Sequence, residues 1–124
     1  MTPVLFLAVA LAGGVGAAAR FMLDGVMQSR ATSYPLGTLV INISGSFLLG
    51  LATGLALSAA LPPEAVTIVG SGFLGGYTTF STASVESVRL IAARRYGAAF
   101  VGSVGMLVLS VAASAGGLVL GTLA

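Results

Sequence analysis

Long stretches without a single charge constrain this chain more than any other feature. Ionisable acids and arginines occur only at positions 20, 24, 30, 64, 86, 89, 94 and 95, so the intervals 1–19, 31–63, 65–85 and 96–124 carry none. Each interval is about as long as the ~20 residues a helix needs to cross a hydrocarbon core of about 30 Å. Soluble domains carry roughly 25% charged residues, whereas this chain has 6%, against 57% apolar residues. A water-facing surface cannot be built from that inventory, and a polytopic, all-α membrane protein of four transmembrane helices is expected.

The same inventory excludes several chemistries. Without histidine or cysteine there is no imidazole or thiolate metal site, no disulfide framework and no histidine base. Asp24, Glu64 and Glu86 are too scattered in sequence to read as a catalytic carboxylate pair. No nucleophile–base pair or cofactor motif is visible, so no catalytic residue and no enzyme activity are expected. Five arginines in three short clusters are too few to track a phosphate backbone, and no nucleic-acid partner is expected. The first apolar segment lacks a basic n-region and reads as a retained helix rather than a signal peptide.

The spans follow from the punctuation. Helix 1 is expected over about 3–21, where Gly13, Gly16, Ala17 and Arg20 share one side; the polar stretch Asp24 to Ser33 reads as a loop. Pro35 and Gly37 open helix 2, expected over about 36–60, and Pro62-Pro63 close it. Helix 3 (about 64–91) begins at Glu64, where a negative charge suits the helix dipole. Its interior holds Gly70, Gly72, Gly75 and Gly76, followed by Tyr77-Thr78-Thr79-Phe80-Ser81-Thr82. A glycine pair running into hydroxyl residues near the middle of a span predicts a break in the helix. Irregular backbone at that depth survives only when buried in protein or lining a wet cavity, and broken helices are where membrane transporters place ion sites. Helix 4 takes about 97–123, and all four helices form a single domain, 1–124. Glycines at Gly13, Gly50, Gly54, Gly117 and Gly121 read as close helix-packing contacts, and Ser103 and Ser114 likewise read as packing. Four helices are few to enclose a path, so a dimer supplying the second half is expected.

No acid lies inside helix 1, 2 or 4, and Glu86 sits toward the end of helix 3, where it caps a polar network or pairs with Arg89. A proton-coupled pump usually keeps an intramembrane acid or histidine as its relay. The amide and hydroxyls of Asn42, Ser44, Ser46, Thr78, Thr79, Ser81, Thr82, Ser103 and Ser110 instead suit passive conduction, because such groups replace an ion's hydration shell without holding it irreversibly.

Three segments carry a family resemblance: GGVGAAAR at 13–20, YPLGTLVINISGSFLLG at 34–50 and GFLGGYTTFST at 72–82. In order, spacing and length the chain resembles the bacterial CrcB/Fluc fluoride channel family over nearly its whole extent. That resemblance implies a fluoride-selective channel of the bacterial inner membrane that lets fluoride leave the cell passively. It also implies an antiparallel, dual-topology dimer with two pores and one structural sodium ion at the helix-3 breaks. Carried over residue by residue, Gly75 and Thr78 hold the sodium through backbone carbonyls, four from the two subunits. Asn42 is the pore amide and Phe80 a pore phenylalanine whose positive ring edge faces the anion. Thr79, Ser81, Thr82 and Ser110 match hydroxyl-bearing positions on or near the polar track, and Arg20 supplies positive potential at the pore mouth. Three positions depart from the pattern: Ala83 replaces a second phenylalanine, Gly102 a helix-4 tyrosine and Met106 a helix-4 serine. Alternatives of other kinds are a small multidrug or guanidinium exporter, which needs a helix-1 glutamate absent here, and a non-conducting partner subunit.

Charge placement adds an orientation. Arg20, Arg30, Arg89, Arg94 and Arg95 all fall at loops 1–2 and 3–4 in a four-helix reading. Positive-inside asymmetry then puts both termini outside. A five-to-zero split is unlike a subunit that inserts both ways, so the expected partner is an oppositely oriented paralogue rather than a second copy. Arg89, Arg94 and Arg95 read as topology determinants and lipid-headgroup contacts.

Overall fold

A computed structural model describes residues 2–28 and 36–124. They are helical nearly throughout, with no strand among the described residues. Helix α1 spans Pro3–Gln28, α2 spans Leu36–Leu57, α3 covers 63–77, α4 is Ser81–Ala92 and α5 is Tyr96–Thr122. Helices α1, α2 and α5 are each long and apolar enough to cross a membrane. The stretch between α2 and α5 is two shorter helices separated by the non-helical residues Thr78, Thr79 and Phe80.

Apolar residues cover the outside of the bundle and small residues its seams. In lipid the hydrophobic effect does not drive helices together, so they gain by van der Waals packing of backbone on backbone. Helices α2 and α5 do this through two glycine pairs one turn apart. A Cβ on Gly50 would overlap the Ser114 carbonyl, one on Gly54 the Leu118 carbonyl, and one on Gly117 the Phe47 carbonyl. A Cβ on Gly121 would lie within 2.5 Å of the Leu51 carbonyl. Helices α1 and α3 meet the same way, with Gly16 on the Phe73 carbonyl and Gly76 on the Gly13 carbonyl. The packing role expected for Gly13, Gly50, Gly54, Gly117 and Gly121 is therefore what these residues do. Where α1, α2 and α3 converge, Ile41, Leu74 and Tyr77 form a small core, flanked by Ala19, Leu23 and Phe73. Tyr77 stacks on Phe73 at 5.9 Å between ring centroids, and its hydroxyl lies 3.0 Å from the Ser44 hydroxyl.

Several helix limits differ from expectation. Helix α1 runs on past Phe21 to Gln28, so Asp24 is helical and Arg20 lies two turns from the end. The charges mark where the helix leaves the apolar layer, not where it stops, and no proline intervenes. The start of α2 rests on this extension, since a Cβ on Gly37 would overlap the Asp24 carboxylate. Arg30, Tyr34 and Pro35, on which part of the sequence reading rests, lie outside the described residues. Helix α2 ends at Leu57, before Ala60 and the proline pair. Ala59 takes a left-handed φ of 62°, and Ala60 N–H donates to the Leu55 carbonyl at 2.8 Å while Ala59 N–H donates to Ala56 at 3.0 Å. This is a Schellman stop built on alanine instead of the usual glycine. Helix α4 ends identically at Arg94 (φ 60°), with Arg95 N–H bonded to the Leu90 carbonyl at 2.8 Å.

One feature of α3 was not foreseen. Thr67–Leu74 is π-helical, and Gly75 N–H donates to Gly70, five residues back. Such wide turns are uncommon and concentrate at functional sites. Here Gly70 and Gly72 leave room for Leu49 and for Val9 and Ala12, which side chains at those positions would exclude.

Candidate functional site: the helix break and its groove

The break follows from competition for backbone donors. In an unbroken helix the N–H of residue 79 would bond to the carbonyl of Gly75, and that of Thr82 to Thr78. Both are diverted to side chains. Thr79 N–H donates to Asn42 Oδ1 at 2.9 Å, and Thr82 N–H donates to Thr79 Oγ1 at 3.1 Å. Thr78 turns to extended backbone (φ −79°, ψ 157°), and its hydroxyl donates back to the Leu74 carbonyl at 3.0 Å. Among the described residues, the carbonyls of Gly75 and Thr78 are thus left without their helical donors. Thr79 caps the start of α4 with its side chain, an accepted use of threonine at helix N-termini.

Asn42, in the second turn of α2, holds the break open. Besides accepting from Thr79 N–H, its Nδ2 donates to the Thr79 carbonyl at 2.8 Å, so one amide satisfies both backbone groups of one residue. The second Nδ2 hydrogen is directed to Met106 Sδ at 3.2 Å, across from α5. On the opposite side of α3, Arg20 Nε donates to the Gly76 carbonyl at 3.3 Å, another carbonyl at the end of the interrupted helix. Arg20 therefore braces the break from α1; it is not at the end of that helix, where the sequence reading put it.

A groove of about 740 Å³ runs along the break between α2, α3, α4 and α5. Asn42, Gly75, Thr78, Thr79, Phe80 and Ser110 line it, as do the three departing positions Ala83, Gly102 and Met106. Of the residues that the family resemblance assigns to the site, all but three are brought to one place. Arg20 lies behind α3, and Ser81 and Thr82 stand at the start of α4 outside the groove lining, where the Ser81 hydroxyl is 3.4 Å from that of Thr79. Phe80 is 87% exposed. The Ser110 hydroxyl is buried with no hydrogen-bond partner among the described residues.

Sequence reasoning missed part of the wall. Ser84, Glu86 and Ser87 also line the groove, together with Ser103. Ser87 and Ser103 share a hydrogen bond of 3.0 Å between α4 and α5, so Ser103 is a groove residue and not simply packing. Glu86 Oε1 and the Thr38 hydroxyl are also buried. The available signal was the spacing of Ser84, Ser87 and Leu90, which places them on one face of α4.

No group of three or more acidic, histidine or cysteine side chains stands ready for a metal among the described residues. The chemistry on offer is an amide, hydroxyls, freed carbonyls and an aromatic edge, with Glu86 the one acid in the lining. Such a set exchanges contacts with a partly dehydrated small ion.

Comparison with known proteins identifies the family. Residues 7–122 match the family described as CrcB-like protein, Camphor Resistance (CrcB). The chain is 60% identical to "Fluoride-specific ion channel FluC 1" of Leifsonia xyli subsp. xyli, covering 100% of this chain and 91% of that protein. It is 49% identical to "Fluoride-specific ion channel FluC 2" of Cutibacterium acnes, covering 92% and 94% of the two chains. Identity to "Fluoride-specific ion channel FluC" of Maridesulfovibrio salexigens is 38%, covering 95% of each. With the match spanning nearly every helix, the broken α3–α4 pair included, this chain belongs to the CrcB family.

Proposed function

We propose that the chain is a subunit of a fluoride-selective channel that lets fluoride leave the cell down its electrochemical gradient. The observation that carries this reading is the helix break, whose groove gathers Asn42, Thr79, Phe80 and Ser110 at one place. Relatives named for fluoride conduction support it, the first covering the whole chain. In this reading α3, the break and α4 together form the fourth span, which 63–92 is long enough to supply. The path follows the polar residues of the groove, where the Asn42 amide and the Phe80 ring edge meet the anion and the Ser110 hydroxyl donates to it. Thr79, Ser81 and Thr82 present hydroxyls at the head of α4 near its entrance. Arg20 contributes positive potential from behind the break.

Two subunits assemble antiparallel in this reading. Support comes from Phe80, whose 87% exposure in one subunit is relieved when a second subunit closes the groove. The Gly75 and Thr78 carbonyls fit a sodium ion: both lose helical donors to Asn42 and Thr79, and uncharged carbonyl oxygens suit a hard monovalent cation. Two carbonyls from each subunit would make a four-oxygen site on the dimer axis, fixing two breaks against each other. The subunit sits in the inner membrane with both termini outside, following its arginines.

A second reading has its own support. Ala83, Gly102 and Met106 all line the groove where the family pattern carries an aromatic ring or a hydroxyl, which favours pairing with an oppositely oriented paralogue that completes the pores. Relatives named FluC 1 and FluC 2 fit such pairs. An exporter is less well supported: the acid of α1, Asp24, lies in its last two turns and not at its centre. Fluoride efflux from liposomes, with the chain alone and with any such paralogue, decides among these. Absence of fluoride flux in both preparations refutes the channel reading, and flux only in the mixture selects the heterodimer.

A further inference from the structure

Asn42 has one edge fixed and one hydrogen in reserve. Its Oδ1 and one Nδ2 hydrogen are matched to the N–H and C=O of Thr79 at 2.9 and 2.8 Å. Turning the amide over would oppose donor to donor and acceptor to acceptor, so its orientation is set by the backbone. The remaining hydrogen must then point where it does, at Met106 Sδ, 3.2 Å away. Both residues line the groove. An anion that reaches the amide has only this hydrogen to take, and it must displace the thioether to do so.

A thioether is a weak hydrogen-bond acceptor on a flexible, unbranched side chain. It therefore satisfies the amide at rest and yields to a stronger acceptor with little reorganisation. A small, hard anion gains much by the exchange, whereas a larger, softer anion gains less and faces the same bulk. Four residues further along α5, one turn away, the buried Ser110 hydroxyl has no partner among the described residues and lines the same groove.

We propose that Met106 is a specificity-determining residue, a displaceable acceptor that occupies the free Asn42 hydrogen and admits only an anion able to outcompete sulfur. This deepens the channel reading above and rests on it. The test combines a binding signal that needs no transport with a flux measurement. The full-length chain, labelled at methionine methyl carbons, is titrated in detergent with sodium fluoride or sodium chloride at constant sodium; Met106→Leu identifies the Met106 signal among the four methionines. Fluoride is expected to shift the Met106 methyl together with the Asn42 side-chain amide, and chloride to leave both in place. In liposomes Met106→Leu, which keeps the bulk and removes the acceptor, is expected to tighten apparent fluoride affinity about five-fold, the scale of one weak hydrogen bond. It is also expected to lower fluoride-over-chloride discrimination, and Met106→Ser to alter that ratio again.

If wild type conducts while the Met106 signal ignores fluoride, the proposal is overturned and the channel reading stands. A responding signal with no flux in any preparation, paralogue included, keeps the anion contact and overturns the channel reading. Neither signal nor flux removes both. Identical ion ratios in wild type, Met106→Leu and Met106→Ser also overturn it, whatever the spectra show.

Discussion

Replacing Asn42 by leucine tests how the break is held. The substitution preserves volume approximately and removes two hydrogen bonds to Thr79 of 2.8 and 2.9 Å. What remains is a backbone N–H and a carbonyl in an apolar bundle, each costing about 1–3 kcal/mol when left unmade. With both groups left in an apolar bundle and relaxation recovering only part of the loss, a net cost of about 3 kcal/mol is expected. At about 1.4 kcal/mol per factor of ten, the Thr79 amide should exchange its hydrogen roughly a hundred-fold faster if the segment opens locally. The measurement is hydrogen exchange in detergent, referenced to amides in the middle of α5. Asn42→Asp, which keeps an acceptor for Thr79 N–H but faces a carboxylate to the Thr79 carbonyl, should be intermediate. Unchanged Thr79 protection in Asn42→Leu would refute the argument and leave the amide with no part in holding the break. The corollary is that loss of flux in Asn42→Leu is not by itself proof of anion contact.

Other expectations follow from particular contacts. Gly75→Ala should be close to neutral for folding, because its nearest neighbour lies at 3.7 Å from the added Cβ; Gly76→Ala, whose Cβ would overlap the Gly13 carbonyl, should cost about 3 kcal/mol. Thermal unfolding in detergent separates the two, and equal melting temperatures would contradict the α1–α3 contact. Ala59→Gly should stabilise the chain by about 1 kcal/mol, since its φ of 62° disfavours any side chain; a lower melting temperature would refute this. Replacing sodium by a bulky organic cation should weaken the assembled channel and abolish fluoride efflux, and undiminished flux would dismiss the carbonyl site.

The sequence was most informative where composition and position coincide. Four charge-free intervals made the chain a membrane protein, and the Gly75-Gly76-Tyr77-Thr78-Thr79 run located the break to within a few residues. Helix ends were less legible, because charge reports depth in the membrane and not the end of hydrogen bonding; Asp24 is the clear instance. The alanine stop at Ala59 was hidden because nothing in that residue type announces a left-handed turn.

What the residues decided alone was the solvent they must live in and the place where the helix between α2 and α5 fails. Both follow from local properties, side-chain polarity and the freedom of glycine and threonine to leave a helix. Which acceptor receives each freed donor was decided only in three dimensions. Thr79 N–H finds Asn42, 37 residues away, Arg20 finds the Gly76 carbonyl 56 residues on, and the last Asn42 hydrogen finds Met106 after 64. Sequence cannot state such pairings, because hydrogen bonds are chosen by the distance between packed helices and not by separation along the chain.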